Sequence, residues 1–357
     1  MQVQLEKQRV LKINRGEKLM NYEVDIVMPW VDDKDPAWRQ SKAKYSNDIS
    51  ALEDNSDMRF RDWENLRYWF RGIEKFAPWV NKVYFITCGH LPEWLNVEAP
   101  KLVHVKHEDY IPKEYLPTFS SHPIELNIHR IKGLSEHFVY FNDDTFLTKP
   151  TTIDTFFIDG LPCHSPIMHP IFPRGEGGIM PHVYMNTVMA VNRHFKMKEV
   201  LQRDHTKWFS IKNGIKTVVE NAYNQNFPEF PGFKNEHMPV PVLKSTMEEV
   251  WAAEEEILST TSSHRFRDMQ DVNMYLFRYW ELASGRFIPV NMGKLGKRLD
   301  IGDNIEEICD RIINQSQTML CVNDMGLIRE QDQFLTCRDR INKAFEELFP
   351  EKSSFEK

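Results

Sequence analysis

Four short apolar runs stand out along the first 150 residues of the chain. They cover 23–31, 82–88, 101–107 and 137–141, and each is rich in β-branched and aromatic residues. Runs of this length, bounded by Gly, Pro, Asn and Asp, predict strands. Because polar residues do not alternate regularly with the apolar ones, we expect both faces of these strands to be buried.

Two helical patterns lie between the predicted strands. In 62–77, apolar side chains recur at helical spacing, and Pro78 follows where the helix should end. A second helix is predicted from about Pro123 to Leu134, just before the last strand. The order strand, helix, strand, strand, helix, strand predicts an α/β fold with a mostly parallel, Rossmann-like sheet covered by helices, of the kind found in nucleotide-sugar transferases.

The pattern changes after Pro150. The stretch 162–182 is rich in Pro and His and contains Arg174-Gly-Glu-Gly-Gly178, which predicts a long loop and a candidate lid. Beyond this loop the patterns are mostly helical, so we expect a helical C-terminal region. The clearest of these helices are predicted at 247–258, 271–283 and 331–348.

Composition narrows the class of protein. The 357 residues are 41% hydrophobic with a formal net charge of −7, which predicts a globular protein and argues against a nucleic-acid partner. Five scattered cysteines without CxxC spacing predict free thiols in a reducing cytoplasm. The polar N-terminus predicts no signal peptide, and no segment reaches the roughly 18 apolar residues of a membrane helix.

Acidic side chains follow two of the predicted strands. Asp32 follows the first strand, and Asn142, Asp143 and Asp144 follow the fourth. Ligands of open α/β sheets bind at the carboxyl ends of strands, so these residues lie where a ligand is expected. Adjacent carboxylates there can hold a divalent cation that neutralises phosphate oxygens. Loop solvation and helix capping produce the same pattern and remain open.

Arginines and histidines supply the other candidates. Arg59 and Arg61 precede the first helix, where they can clamp a diphosphate, unless they belong to a solvated first turn. Motifs with histidine occur at His122-Pro and His237-Met-Pro, and another at 263–271 joins a histidine to an arginine and an aspartate. In the last motif, Arg267 and the aspartate lie four positions apart and would form an ion pair on a helix. Residue chemistry alone does not single out one histidine.

Several long blocks, in order, resemble the Stealth family. These proteins are bacterial capsular polysaccharide phosphotransferases, similar to the catalytic subunit of the animal N-acetylglucosamine-1-phosphotransferase. The resemblance covers roughly 24–290, so we expect a catalytic domain at 23–290, with an N-terminal extension at 1–22 and a helical C-terminal extension at 291–357. The blocks are DIVMPWVDDKDPAW at 25–38 and the stretches 59–95, 116–147, 181–195 and 237–289.

The resemblance implies a reaction. A hexose 1-phosphate, usually an N-acetylhexosamine 1-phosphate, would pass from a UDP-sugar to a hydroxyl of a growing glycan, with release of UMP. The implied partners are the UDP-sugar donor and an oligosaccharide or polysaccharide acceptor, and the expected cofactor is Mg²⁺ or Mn²⁺. The expected location is cytoplasmic, with peripheral association with the capsule assembly machinery at the inner membrane left open.

The resemblance also implies roles for individual residues. His237 is expected to be the general base, with His122 as second choice, because a histidine titrates near neutral pH. Arg267 would contact phosphate, and Asp271 would orient Arg267 or the base. Trp30 and Tyr184 are expected either to stack on uracil or a sugar ring or to belong to the core. The expected substrate-binding residues are Arg59, Arg61, Ser121, Asn142 and Trp30, and the expected metal ligands are Asp32, Asp143 and Asp144.

One departure from the family pattern is visible. The first block commonly reads Thr-Trp-Val followed by Asp-Gly or Asn-Gly, whereas here Pro29-Trp30-Val31 precedes Asp32-Asp33.

Two other functions also stay open. One is a metal-dependent nucleotide-sugar glycosyltransferase that releases UDP. The other is a non-catalytic glycan-binding protein, which would give no reason for the arginines and acids at strand and helix ends.

Overall fold

The computed structural model describes residues 22–45, 61–172 and 178–357. Its strands are β1 Val24–Pro29, β2 Val83–Thr87, β3 Leu102–Lys106, β4 His137–Tyr140, β5 Thr145–Leu147, β6 Phe157–Ile158, β7 Leu161–His164, β8 Val240–Leu243, β9 Ile288–Pro289, β10 Gly296–Asp300 and β11 Met319–Asn323. Its helices are α1 Pro36–Ala43, α2 Leu66–Phe76, α3 His107–Tyr110, α4 Ser121–Leu126, α5 Met180–His194, α6 Met197–Arg203, α7 His205–Trp208, α8 Ile215–Asn224, α9 Lys244–Ala253, α10 Glu255–Ser263, α11 Tyr275–Ser284, α12 Met292–Leu295, α13 Ile305–Ile313 and α14 Gln331–Leu348. Short 3₁₀ turns occur at Lys113–Tyr115, Ile128–Arg130, Ile153–Thr155 and Ile211–Asn213.

A five-stranded sheet forms the centre of the molecule, in the order β3-β2-β1-β4-β8. The first four of these strands are parallel, and β8 is antiparallel to β4. The chain moves outward from β1 to β3 on one side and then places β4 on the other side. This reversal opens a crevice at the carboxyl ends of β1 and β4. The predicted α/β fold with a mostly parallel sheet is confirmed.

Alternate residues of the central strands enter two apolar layers. On β1, Ile26 and Met28 belong to one layer and Val27 to the other, and all three are fully buried. Helices α2, α13 and α14 fill the first layer, and helices α9 and α11 fill the second. Burial on both faces explains why the strands appear in the sequence as continuous apolar runs.

The C-terminal region is part of the same core. Strand β11 pairs antiparallel with β5, which places Cys321 beside Thr145, and β10 pairs parallel with β11. The buried Arg71 of α2 donates to Glu356, at 2.8 Å from Nε, and to the Phe349 carbonyl, at 2.6 Å. Besides the helices that the sequence predicts there, residues 291–357 therefore contain strands that complete a second sheet.

One predicted helix is wrong in its extent. The pattern at 123–134 predicts a continuous helix, but α4 ends at Leu126 and a 3₁₀ turn follows. The side-chain amide of Asn127 donates to the Pro123 carbonyl at 2.9 Å, which is the acceptor that the next helical N–H would use. Asparagine often ends helices by this competition with the backbone.

Two other predicted helices differ from those in the structure. The predicted helix at 247–258 is broken at Glu254, whose carboxylate turns inward to bind Arg193 and His194. The helix predicted from 271 begins four residues later, at Tyr275, because the preceding residues are used in side-chain hydrogen bonds. The helix predicted at 331–348 is confirmed as α14.

The predicted lid loop lies between β7 and α5. Residues 162–164 belong to β7 and α5 begins at Met180, so the loop is shorter than the sequence indicates. Residues 173–177, which include most of the Arg174-Gly178 motif, lie outside the described residues. The lid therefore stays a prediction. In the described part of the chain, no helix is both long enough and apolar enough to cross a membrane.

Candidate active site

Polar side chains from three parts of the chain meet where β4 ends. His237 Nε2 lies 3.4 Å from Asp144 Oδ2 and 3.4 Å from the amide nitrogen of Asn142. From β11, the Cys321 thiol donates to Asp144 Oδ2 at 3.3 Å. We call these four residues the His237 cluster. Two of its members were predicted to bind substrate or metal, and one to be the general base.

The carboxylates of this region differ in their ionisation. Burial alone would raise the pKa of Asp144, but His237, Cys321 and Thr145 lower that pKa overall. Desolvation, followed by repulsion from Asp144 and Asp62, raises the pKa of Asp143, whose side chain is nevertheless exposed at the edge of the crevice. Asp144 is therefore charged at neutral pH, and Asp143 is the less acidic of the two.

His237 is held in an unusual backbone conformation. Its φ of 51° lies in the left-handed region, which a residue other than glycine adopts only when the surrounding structure enforces it. The imidazole borders a small open cavity, whose lining also includes Glu236, Tyr275, Arg278 and Met292. The conformation thus places a titratable ring between Asp144 and a cavity.

A second group of polar residues lies at the start of α4. Asp271 Oδ2 is 2.8 Å from His122 Nδ1, and Asp271 Oδ1 is 2.7 Å from His264 Nδ1. Both His122 and Asp271 are buried. We call these three residues the His122 cluster. Beside it, the Arg267 guanidinium donates to Ser121 Oγ at 3.1 Å.

Arg267 and Asp271 do not lie on a common helix. Residues 264–274 form no helix, so the two side chains do not share a helix face. The Asp271 carboxylate instead accepts from the two histidines and from the backbone N–H of Asp268, at 3.0 Å. Burial would raise the pKa of Asp271, but the histidine hydrogen bonds lower it overall. The bond to Asp271 raises the pKa of His264 above its usual range, against the opposing effect of burial.

Two buried side chains connect the clusters. The Tyr140 hydroxyl lies 3.1 Å from Glu125 Oε1 and 3.0 Å from Asn142 Oδ1. Burial raises the pKa of Glu125, which also interacts with His122 and Ser121. A protonated Glu125 can donate to Tyr140, leaving the tyrosine proton for Asn142, so every oxygen in this chain of contacts finds a donor.

The remaining acids line the end of β1. The backbone N–H of Asp32 donates to His90 Nε2 at 2.9 Å, and Asp32 Oδ1 accepts from the Lys34 N–H at 2.8 Å. Asp62 is close enough to interact electrostatically with both Asp32 and Asp143. The acids after β1 and β4 therefore face one region of like charge, as the sequence predicts for strand ends.

The two rings that were predicted to stack on a ligand make contacts within the protein. The Trp30 ring packs against Phe85 and His90, with ring centroids 5.8 and 5.2 Å apart, and stays half-buried. Tyr184 lies 6.0 Å from the Tyr275 ring. Neither contact tests the predicted stacking on a ligand. Arg59 lies outside the described residues.

The guanidinium of Arg61 is engaged within the protein. Nη2 lies 2.6 Å from Asp324 Oδ2, Nη1 donates to the Ile328 carbonyl at 3.1 Å, and the group stacks 4.1 Å from the Phe334 ring centroid. In this structure Arg61 therefore links the segment before α2 to the C-terminal region. A phosphate would have to compete with Asp324 for it.

Sequence reasoning missed several members of the site. Cys321 and Asp324 were not predicted, although the run MLCVND at 319–324 has the same form as the strand and acids FVYFNDD at 138–144. That similarity is the signal that could have found them. Glu125 and Tyr140 carried no such signal, because both stand among apolar residues.

The chain is similar to known polysaccharide phosphotransferases. The model of Stealth conserved region 2 matches residues 59–163, and that of conserved region 3 matches residues 236–280. A capsular polysaccharide phosphotransferase WcwK from Streptococcus pneumoniae is 42% identical over 94% of this chain and 98% of its own length. A receptor polysaccharide phosphotransferase WefC from Streptococcus gordonii is 42% identical over 94% of this chain and 99% of its own.

One more distant relative is also a phosphotransferase by name. The exopolysaccharide phosphotransferase cps2G of Lactiplantibacillus plantarum is 36% identical over 94% of this chain and 97% of its own. Among solved structures, mouse xyloside xylosyltransferase 1 matches with a TM-score of 0.36 and 11% identity, over 84% of this chain and 98% of its own. The protein is thus an enzyme of the phosphotransferase class. It belongs to the Stealth family of polysaccharide phosphotransferases.

The His122 cluster predicts a specific pH dependence of stability. Because the folded-state pKa of His264 is raised, its charge stabilises the fold fully below about pH 6.5, its unfolded pKa, and this stabilisation is lost as pH rises through the folded pKa. The unfolding free energy should therefore differ more between wild type and His264→Gln at about pH 5.5 than at about pH 9. Urea denaturation at both pH values measures it.

The exposed His205 provides the matched control. His205→Gln should change the unfolding free energy by the same small amount at both pH values. A difference between wild type and His264→Gln that stays constant between these pH values would show that the charge on His264 does not stabilise the fold.

Proposed function

We propose that this enzyme transfers a hexose 1-phosphate, usually an N-acetylhexosamine 1-phosphate, from a UDP-sugar to a hydroxyl of a capsular or other surface glycan. The relatives' names supply the phosphotransferase class and the polysaccharide context. The single observation that supports this chemistry best is a histidine held beside a charged carboxylate at the switch point of the sheet, facing a cavity.

The proposed reaction is a displacement at phosphorus. The acceptor hydroxyl oxygen forms a bond to the β-phosphorus of the donor, and the bond from that phosphorus to the bridging oxygen breaks. UMP leaves with the electron pair of that bond. The bond between the sugar and its phosphate is not touched, so the anomeric configuration is retained.

His237 is the proposed general base. Asp144 faces the protonated Nε2 as a hydrogen-bond acceptor and stabilises the imidazolium that forms, which leaves Nδ1 to take the proton of the acceptor hydroxyl. The strained backbone fixes the direction of the ring toward the cavity. His122 is the weaker candidate, because its ring is buried and bound to Asp271.

Arg267 is the proposed phosphate contact. Its side chain lies at the N-terminus of α4, where it already binds Ser121, so a phosphate there would meet both a guanidinium and backbone N–H groups. The His122 cluster holds this corner in place through Asp271, which also accepts the Asp268 N–H close to Arg267. Asp271 is thereby a positioning residue.

The acids suit a divalent cation. Asp62 is close enough to repel both Asp32 and Asp143, and a cation among these carboxylates would relieve that repulsion. We propose that Asp32 and Asp143 hold Mg²⁺ or Mn²⁺, which when bound neutralises charge on the diphosphate. Asp144, His237 and Cys321 have ligand atoms within 4.8 Å of one another and would suit a softer metal instead.

The identity of the by-product tests the proposed function. Incubation of the enzyme with UDP-N-acetylglucosamine or a related donor, an acceptor oligosaccharide and magnesium should release UMP in step with transfer. Phosphorus NMR of the product should show a phosphodiester. Stoichiometric UDP with a phosphate-free glycosidic product would instead establish a glycosyltransferase, and binding of glycan without any donor turnover would establish a binding protein.

Removal of the proposed base should affect turnover and spare binding. His237→Ala should lower the transfer rate on the order of a hundredfold or more, with donor affinity nearly unchanged, because a general base acts mainly in the transition state. Steady-state kinetics and donor titration measure the two effects. His205→Ala, an exposed histidine on α7, is the control. Turnover of His237→Ala near that of wild type would remove His237 from the mechanism.

The metal assignment has its own test. Asp143→Asn should raise the magnesium concentration that gives half-maximal activity, because an amide is a weaker ligand than a carboxylate. Activity is measured against magnesium concentration for the wild type and for Asp143→Asn. Asp109→Asn is the control, because the Asp109 carboxylate accepts the Lys106 N–H at the start of α3. Full activity of the wild type in excess chelator would contradict a metal at Asp143 without affecting the proposed reaction.

A further inference from the structure

Helix α8 and the turn before it expose a row of large apolar side chains. Ile211, Ile215, Val219 and Tyr223 are 77%, 75%, 61% and 73% exposed. The last three are spaced four positions apart and so lie on one side of the helix. We call these four residues the α8 stripe. On an ordinary surface helix such side chains would face the core.

The inward face of α8 is polar instead. The Asn221 amide donates to the carbonyls of Pro166 and Trp208, both at 2.7 Å, and its oxygen accepts the Met168 N–H at 2.8 Å. Asn224 donates to the Met168 carbonyl at 2.8 Å. These hydrogen bonds fix the rotation of the helix about its axis. The α8 stripe therefore faces solvent because these hydrogen bonds hold the opposite face of the helix against the protein.

The charges beside the stripe are basic. Lys212 and Lys216 are exposed, and Lys216 also reaches Glu220 of the same helix at 3.8 Å. With two lysines against one glutamate, this edge carries a local positive charge on a chain whose net charge is −7. Lysines flanking an apolar surface can reach lipid phosphates while their stems stay in apolar surroundings. Tyrosine is favoured at the same depth.

We propose that the α8 stripe docks the protein on the surface of an anionic lipid bilayer. The helix lies in the plane of the interface, with Ile215, Val219 and Tyr223 inserted among the lipids. The lysines bind headgroup phosphates. A second copy of the chain is the alternative occupant, and the experiment must separate it from the bilayer.

The α8 stripe is connected to the cavity beside His237 through a hydrogen bond. The carbonyl of Asn213, in the turn between Ile211 and α8, accepts from the Asn291 amide at 2.6 Å. The next residue, Met292, lines the cavity beside His237. Docking would therefore bring that cavity close to the bilayer. This last step rests on the proposed function, whereas the docking itself does not.

Vesicle sedimentation with the full chain tests the docking. The protein should bind phosphatidylglycerol vesicles and bind pure phosphatidylcholine vesicles more weakly. The triple variant Ile215→Ser/Val219→Ser/Tyr223→Ser should lower binding to phosphatidylglycerol about tenfold or more. Lys212→Glu/Lys216→Glu should abolish the preference for the anionic lipid.

The matched control replaces exposed apolar residues elsewhere. Val97→Ser/Ile313→Ser/Leu327→Ser changes side chains that are 46%, 38% and 65% exposed and should bind vesicles like the wild type. If the triple stripe variant does not fold, as judged by circular dichroism, Ile215→Ser alone gives the same comparison at smaller amplitude.

Several results would overturn the docking. These are equal vesicle binding by the wild type and the stripe variant, no binding to phosphatidylglycerol, or a dimer in light scattering that the stripe variant dissolves. The last result would assign the stripe to a second copy. Vesicle binding is measured without turnover, so failure of the phosphotransfer reaction would leave it unchanged. Transfer to a water-soluble oligosaccharide should in turn be the same for the stripe variant and the wild type.

Discussion

One buried carboxylate holds the central sheet in the arrangement that the site requires. Asp25 of β1 is 0% exposed and accepts three hydrogen bonds, from the Lys82 N–H at 3.1 Å, the Asn81 amide at 2.9 Å and the Ser135 N–H at 2.8 Å. Lys82 leads into β2 and Ser135 precedes β4, so a single side chain fixes both neighbours of β1. A buried carboxylate without such donors would be strongly destabilising. At the opposite end of these strands the crevice opens.

The two clusters at the crevice form one connected network. Glu125 and Tyr140 lie between His122 and Asn142, and all of these side chains are buried or half-buried. Buried polar groups are costly when unpaired, so a network in which each group has a partner favours one arrangement over its alternatives. Such rigidity suits a reaction in which a base and a phosphate contact must be held at a fixed separation.

The C-terminal region has a larger part in the site than its distance in the chain indicates. Cys321 binds Asp144, and Asp324 binds Arg61 and the Trp63 indole N–H, at 3.0 Å. Strand β11 brings both residues to the crevice because it pairs with β5, which directly follows the acids of β4. The family resemblance implies a phosphate contact for Arg61, and that role stays a prediction. Its protein contacts join the segment before α2 to the C-terminal region.

The sequence by itself determined the elements of the fold and the places where polar residues end its strands. Strand and helix periods depend on side chains close together in the chain, so β1 to β4, α2 and α14 could be predicted. The partner of each polar group could not. Arg61 meets Asp324 across 263 positions, and His122 meets Asp271 across 149. Only the strand order and the packing of the layers bring such residues together. The same holds for α8, where contacts with the loop at 166–168 decided which face of the helix meets solvent.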